Sequence, residues 1–127
     1  MYYKEVNVNP KKKRTGDCVI RAIANAEGID WYDLYDELCR GARELASVPV
    51  WKETYEYYLY RYPTVSAKYV DANGKTKRLR PRDFKAHGLT GTYVVRLAHH
   101  LTCVRDGVVE DIWDCSGKSA YKIWKIK

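Results

Sequence analysis

The 127-residue sequence predicts an α+β fold in a single domain, residues 1–127, with N-terminal helices packed on a C-terminal antiparallel β-sheet. Three observations carry this. Apolar residues recur at helical spacing through the first half of the chain. From Val65 onward they come in short runs separated by turn residues, the pattern of strands. The links between those runs are too short for parallel crossovers.

Taken in order, Tyr3 to Val8 reads as a short edge strand ended by Asn9-Pro10. A basic run follows, and the chain turns at Gly16. Asp17 is a suitable N-cap, whose carboxylate can accept from free N–H groups of a first helical turn. Val19, Ile20, Ile23 and Ala24 fall on one helical face, and Gly28 is a natural stop. A second helix starts after Asp30 and places Trp31, Leu34, Tyr35, Leu38, Cys39, Ala42 and Leu45 on one stripe. Pro49 suits the first turn of a third helix, which carries Trp51, Tyr55, Tyr58, Leu59 and Tyr62 toward a core before Pro63 closes it.

Val65 to Val70 and Lys75 to Arg80 form a hairpin across an Asn-Gly turn. Pro81 to Ala86 is a short helix or turn, and Thr92 to Leu97 is a strand. His100 to Arg105 and Val108 to Asp114 make the clearest hairpin, around Asp106-Gly107, and Ala120 to Ile126 supplies a last strand.

Composition narrows the class of protein. No apolar run is long enough to cross a bilayer. The start of the chain lacks the apolar stretch of a signal peptide, so a cytoplasmic location is expected. Four cysteines without a Cys-x-x-Cys pair are too few for a disulfide scaffold and are expected to be reduced. The net charge of +7 is unevenly placed, in Lys11-Lys12-Lys13-Arg14 and again in Lys75, Lys77, Arg78, Arg80, Arg82 and Lys85. Such asymmetry suits an anionic partner, nucleic acid or an acidic polypeptide.

Cys18 falls at the first position of the first helix, where free N–H groups and the helix dipole favour a thiolate. A cysteine nucleophile needs a histidine, and the histidine needs an orienting group. Of the three histidines, His87 stands at a helix end, where a capping or surface role is the simpler account. His99 and His100 open a strand in which Leu101 and Cys103 alternate with His100, Thr102 and Val104. One face is expected in the core, with the other looking toward the Cys18 helix. The far strand of the hairpin then brings back a carboxylate. A loop centred on Gly107 puts Asp114 opposite His100, whereas a tight Asp106-Gly107 turn puts Asp111 one diagonal away.

These residues resemble the papain-like cysteine peptidases in a very small form. Asp17-Cys18 opens a buried helix as the nucleophile does there, and His100 heads an apolar strand. Ile112-Trp113-Asp114-Cys115-Ser116-Gly117 stands where those enzymes carry their Asn or Asp. The resemblance is closest in size to the leader-peptide peptidases of bacteriocin export. The wording around Gly16–Ala24, Gly91–Val95 and Asp106–Asp114 is similar to small uncharacterised proteins of phages and mobile elements. It implies a cysteine protease-like hydrolase or acyltransferase acting on an amide bond through a thioester. The catalytic residues would be Cys18, His100 and Asp114, with no cofactor and no metal. The partner would be a polypeptide substrate, and no membrane is involved.

One departure stands out. Papain-like enzymes place a Gln or similar donor shortly before the cysteine, and this chain has Lys12, Lys13, Arg14, Thr15 and Gly16 there. Asn9, Lys12 and Thr15 are the donors on offer. Two other readings compete. A non-catalytic accessory protein would set its basic blocks against the phosphates of nucleic acid or against an acidic protein. A metal site would draw on His100, Cys103, Asp111 and Cys115, although residues three apart on a strand lie on opposite faces.

Overall fold

The computed structural model describes all residues, Met1–Lys127. Three helices, α1 (Cys18–Glu27), α2 (Trp31–Leu45) and α3 (Lys52–Leu59), precede most of the sheet, as an α+β order requires. The strands are β1 (Tyr3–Glu5), β2 (Thr64–Val65), β3 (Lys68–Val70), β4 (Thr76–Arg78), β5 (Thr92–Leu97), β6 (His100–Arg105), β7 (Val108–Asp111) and β8 (Lys122–Lys125). Six form one sheet in the order β1-β7-β6-β5-β8-β2, and β3 and β4 form a separate hairpin.

The sheet is mixed rather than wholly antiparallel. β1 pairs with β7 in parallel, Tyr3 beside Val109 and Glu5 beside Asp111, while every other ladder is antiparallel. Short links fix direction only between consecutive strands. β1 and β7 are separated by most of the chain, so loop length places no constraint on their direction.

The helices cover one face of the sheet. Ile20, Ile23, Leu34, Leu38 and Leu59 pack there against Val94, Leu101, Cys103 and Trp124. On the other face Val95, Val104, Val109 and Ile123 are covered by Leu79, Phe84, Cys115 and Ala120, from the loops around the short 3-10 turn Pro81–Asp83. Both faces of β6 are therefore buried. Leu101 and Cys103 look toward α1, and the Thr102/Val104 side looks away from it, contrary to the expected orientation.

The helix signals hold in part. Gly28 ends α1 in the left-handed region (φ 73°), its N–H returning to Ala24 and Asn25 carbonyls. Asp30 caps α2 by accepting from the N–H groups of Tyr32 and Asp33. Pro49, however, lies in the turn before α3, and Trp51 sits at its N-cap, 61% exposed rather than in the core.

The Asp106-Gly107 turn positions the site. It is a two-residue connection with both residues at positive φ (49° and 79°), the primed geometry that matches strand twist. It pairs Arg105 with Val108 and Cys103 with Glu110, which brings Asp111 level with Thr102. Gly107→Val would force a branched residue into this conformation, and its Cβ would lie 3.4 Å from the Cβ of Lys85. The expected cost is about 1–3 kcal/mol, read as a lowered melting temperature.

Candidate active site

The site forms where the N-terminus of α1 meets the start of β6. Cys18 is the first residue of the helix, and His100 is the first residue of the strand. Both line one cleft of about 630 Å³, together with Tyr55, Arg96, Lys52 and Tyr121. The thiol and the imidazole lie close enough that each shifts the other's pKa.

The carboxylate at His100 is Asp111. His100 Nε2 lies 2.6 Å from Asp111 Oδ2, which leaves Nδ1 as the ring nitrogen available to the sulfur. The expectation of Asp114 in this role is corrected. Asp114 is at the surface and accepts from the Ser116 N–H at 3.0 Å, because the tight turn at Gly107 carries it past His100. Trp113 falls there instead, its ring packed on the His100 ring at 5.1 Å between centroids.

Asp111 is 3% exposed, and its acceptor sites are filled. Besides His100 it accepts from Thr102 Oγ1 (2.7 Å), Arg21 Nη1 (2.8 Å) and the Ile112 N–H (2.7 Å). Arg21, also buried, bridges across to Asp17, its Nε donating to Oδ1 at 2.8 Å. Asp17 further accepts from Asn9 Nδ2 (2.9 Å) and Trp31 Nε1 (3.0 Å). Asp17 thus occupies the N-cap position without capping. Its side chain is spent on the buried network, and the N–H groups of Cys18, Val19 and Ile20 find no acceptor in the protein.

Burial alone would raise the Cys18 pKa. His100 and the Leu101 N–H outweigh it, and the thiol is held below its ordinary value. Burial likewise disfavours the imidazolium, yet Asp111, with Cys115 and Cys18, pushes the His100 pKa up to about 11. Both shifts act in the same direction, toward thiolate beside imidazolium. Asp111, which burial would push up, is held down to about 2 by His100, Thr102 and Arg21.

The expected oxyanion donors do not serve. Asn9 is tied to Asp17, Lys12 donates to the Asn7 carbonyl, and no side chain of residues 9–15 lines the cleft. Tyr55, expected only to face the core, also reaches the cleft. It is buried on α3, its ring lines the cleft, and its hydroxyl makes no formed hydrogen bond within the protein. Burial raises its pKa, so the hydroxyl keeps its proton.

Of the expected metal ligands, His100, Asp111 and Cys115 place their donor atoms within 4.8 Å of one another. Cys103 faces the helix-side core. Arg21 and Thr102 already hold the carboxylate a cation would need. His99 is exposed in the turn before β6, and His87 packs on Tyr69. All four cysteines are unpaired. Much of the basic charge is engaged locally, Arg14 with the Ile112 carbonyl, Lys77 with Asp71 and Arg80 with Asp83. No helix is long and apolar enough to cross a membrane.

Fold and site together define an α+β protein with a helix-terminal thiol and an imidazole in one cleft, and a buried carboxylate bonded to the imidazole. Set against protein-family models, curated proteins and solved structures, the chain matches none of them.

Two outcomes are expected. Iodoacetamide should alkylate Cys18 well below about pH 8, where an ordinary thiol is slow, and His100→Ala should move that rate profile to higher pH. Asp111 has a folded pKa below its ordinary 3.8, so its stabilisation is present above that value and lost as pH falls toward about 2. Melting curves of wild type and Asp111→Asn should accordingly differ at neutral pH and converge across that acid range.

Proposed function

We propose that the protein is a papain-like thiol enzyme, a cysteine peptidase or related acyltransferase. The observation that supports this reading best is the joint placement of Cys18, His100 and Asp111, with the sulfur and the ring lining one cleft and the buried carboxylate hydrogen-bonded to the ring. Chain order agrees as well, with the nucleophile opening a buried helix and the histidine opening a strand.

In this mechanism the Cys18 thiolate attacks an amide carbonyl carbon, forming a C–S bond. The Cys18 N–H and the Tyr55 hydroxyl stabilise the developing oxyanion. His100 Nδ1 gives its proton to the nitrogen as the C–N bond breaks, and the amine leaves. Water, deprotonated by His100, then attacks the thioester, releasing a carboxylic acid and restoring the thiol; an amine in place of water gives transfer instead. Asp111 holds the ring in the tautomer that presents Nδ1, and Arg21 holds Asp111.

The test is cleavage of a proteome-derived peptide library, read by mass spectrometry of new termini. Wild type is expected to cut, and Cys18→Ala and His100→Ala are expected to be inactive while still folded. Tyr55→Phe should lose on the order of a hundredfold in rate, the usual cost of one oxyanion donor. Asp114→Asn should leave the rate unchanged. Full activity in both Cys18→Ala and His100→Ala would overturn the reading.

A further inference from the structure

The cleft carries a charge pattern that the catalytic groups do not account for. None of its lining residues is a carboxylate, although the chain has 16 acidic residues. Lys52, at the start of α3, lines it with an exposed ammonium that pairs with no acidic group. Arg96, on β5, lines it from the sheet side. Arg96 Nη1 and Lys122 Nζ both reach one oxygen, Glu56 Oε1, at 3.3 and 2.9 Å. Two cations sharing one carboxylate leave a positive charge uncompensated. Glu53, next to Lys52 in sequence, does not line the cleft.

The positive character continues past the thiol. A neighbouring pocket of about 290 Å³ shares Leu97, Ala98 and Tyr121 with the cleft and adds Lys118, again without a carboxylate on its walls. Leu97, Ala98 and Tyr121 form the wall between the two. Apolar surface from Val19, Val50 and Leu97 supplies area for backbone and side-chain stems. The cations supply the discrimination, because an unpaired charge in a cleft attracts the opposite sign and rejects its own.

We infer that this cleft is a subsite for acidic peptide, with Lys52, supported by Arg96 whose Glu56 partner is shared with Lys122, receiving a carboxylate side chain next to the bond presented to Cys18. The inference rests on the thiol-enzyme reading for its substrate, but the selectivity it asserts belongs to the cleft and is measurable without turnover.

The experiment uses Cys18 as the reporter. Iodoacetate and iodoacetamide both transfer a CH2 group to sulfur with loss of iodide, and they differ by one negative charge. Alkylation of Cys18 by each is followed by mass spectrometry of its peptide, and the rate ratio is normalised to that of free cysteine in the same buffer. In wild type the normalised ratio should favour iodoacetate and fall toward unity as salt is raised. Lys52→Gln should lower it, and Lys52→Glu should lower it roughly fivefold or more, the effect of a unit charge a few ångströms away in water. Melting curves of both variants establish that they are folded. A ratio unmoved by either substitution, or a wild-type ratio favouring iodoacetamide, overturns the subsite. Slow reaction with both reagents at neutral pH counts against the activated thiol instead, and the ratio, measured at higher pH, still decides the subsite.

Discussion

The buried run of charges from Asp17 through Arg21 and Asp111 to His100 is the constraint on which the rest of the site depends. A carboxylate with 3% exposure is tolerable only if its lone pairs are satisfied, and here a guanidinium, a hydroxyl, an amide and an imidazole do so. Removing a buried partner such as Arg21 would leave Asp17 and Asp111 uncompensated, a loss on the order of 3–5 kcal/mol. The same network ties α1 to the end of β7 and thereby sets where Cys18 stands relative to His100. Structure and chemistry share one set of bonds.

The network also explains why the helix terminus is left uncapped. Asp17 stands where a capping carboxylate would normally absorb the first free N–H groups. Its oxygens are instead taken by Arg21, Asn9 and Trp31. The N–H groups of the first turn stay open beside the sulfur, and the same dipole that favours a thiolate favours an oxyanion. Trp113 packs on the imidazole, and the low exposure of the His100 and Asp111 side chains strengthens the hydrogen bond between them.

Charge has two separate uses in this molecule. Buried charge is fully paired and builds the frame. Around the cleft it is unbalanced, with cations at Lys52, Arg96 and Lys118, no carboxylate on the walls, and a single carboxylate, Glu56, shared between Arg96 and Lys122. The exposed basic blocks at residues 11–14 and 75–85, prominent in the sequence, spend several of their members on neighbouring carbonyls and carboxylates. Net charge alone does not separate these engaged groups from Lys52 in the cleft.

Much was legible from local signals. Periodicity located three helices, Gly28 and Asp30 marked their ends, Asp106-Gly107 announced the hairpin, and the position of Cys18 at a helix start was readable because capping and apolar spacing are properties of neighbours in sequence. His100 followed from the same hairpin. The pairing partner of β1, the choice of Asp111 over Asp114, and the roles of Arg21, Tyr55 and Lys52 were not legible. Each depends on one residue of turn length or on side chains meeting from distant segments. A strand's register shifts by whole residues with the turn that closes it, and contacts across the fold leave no period in the chain.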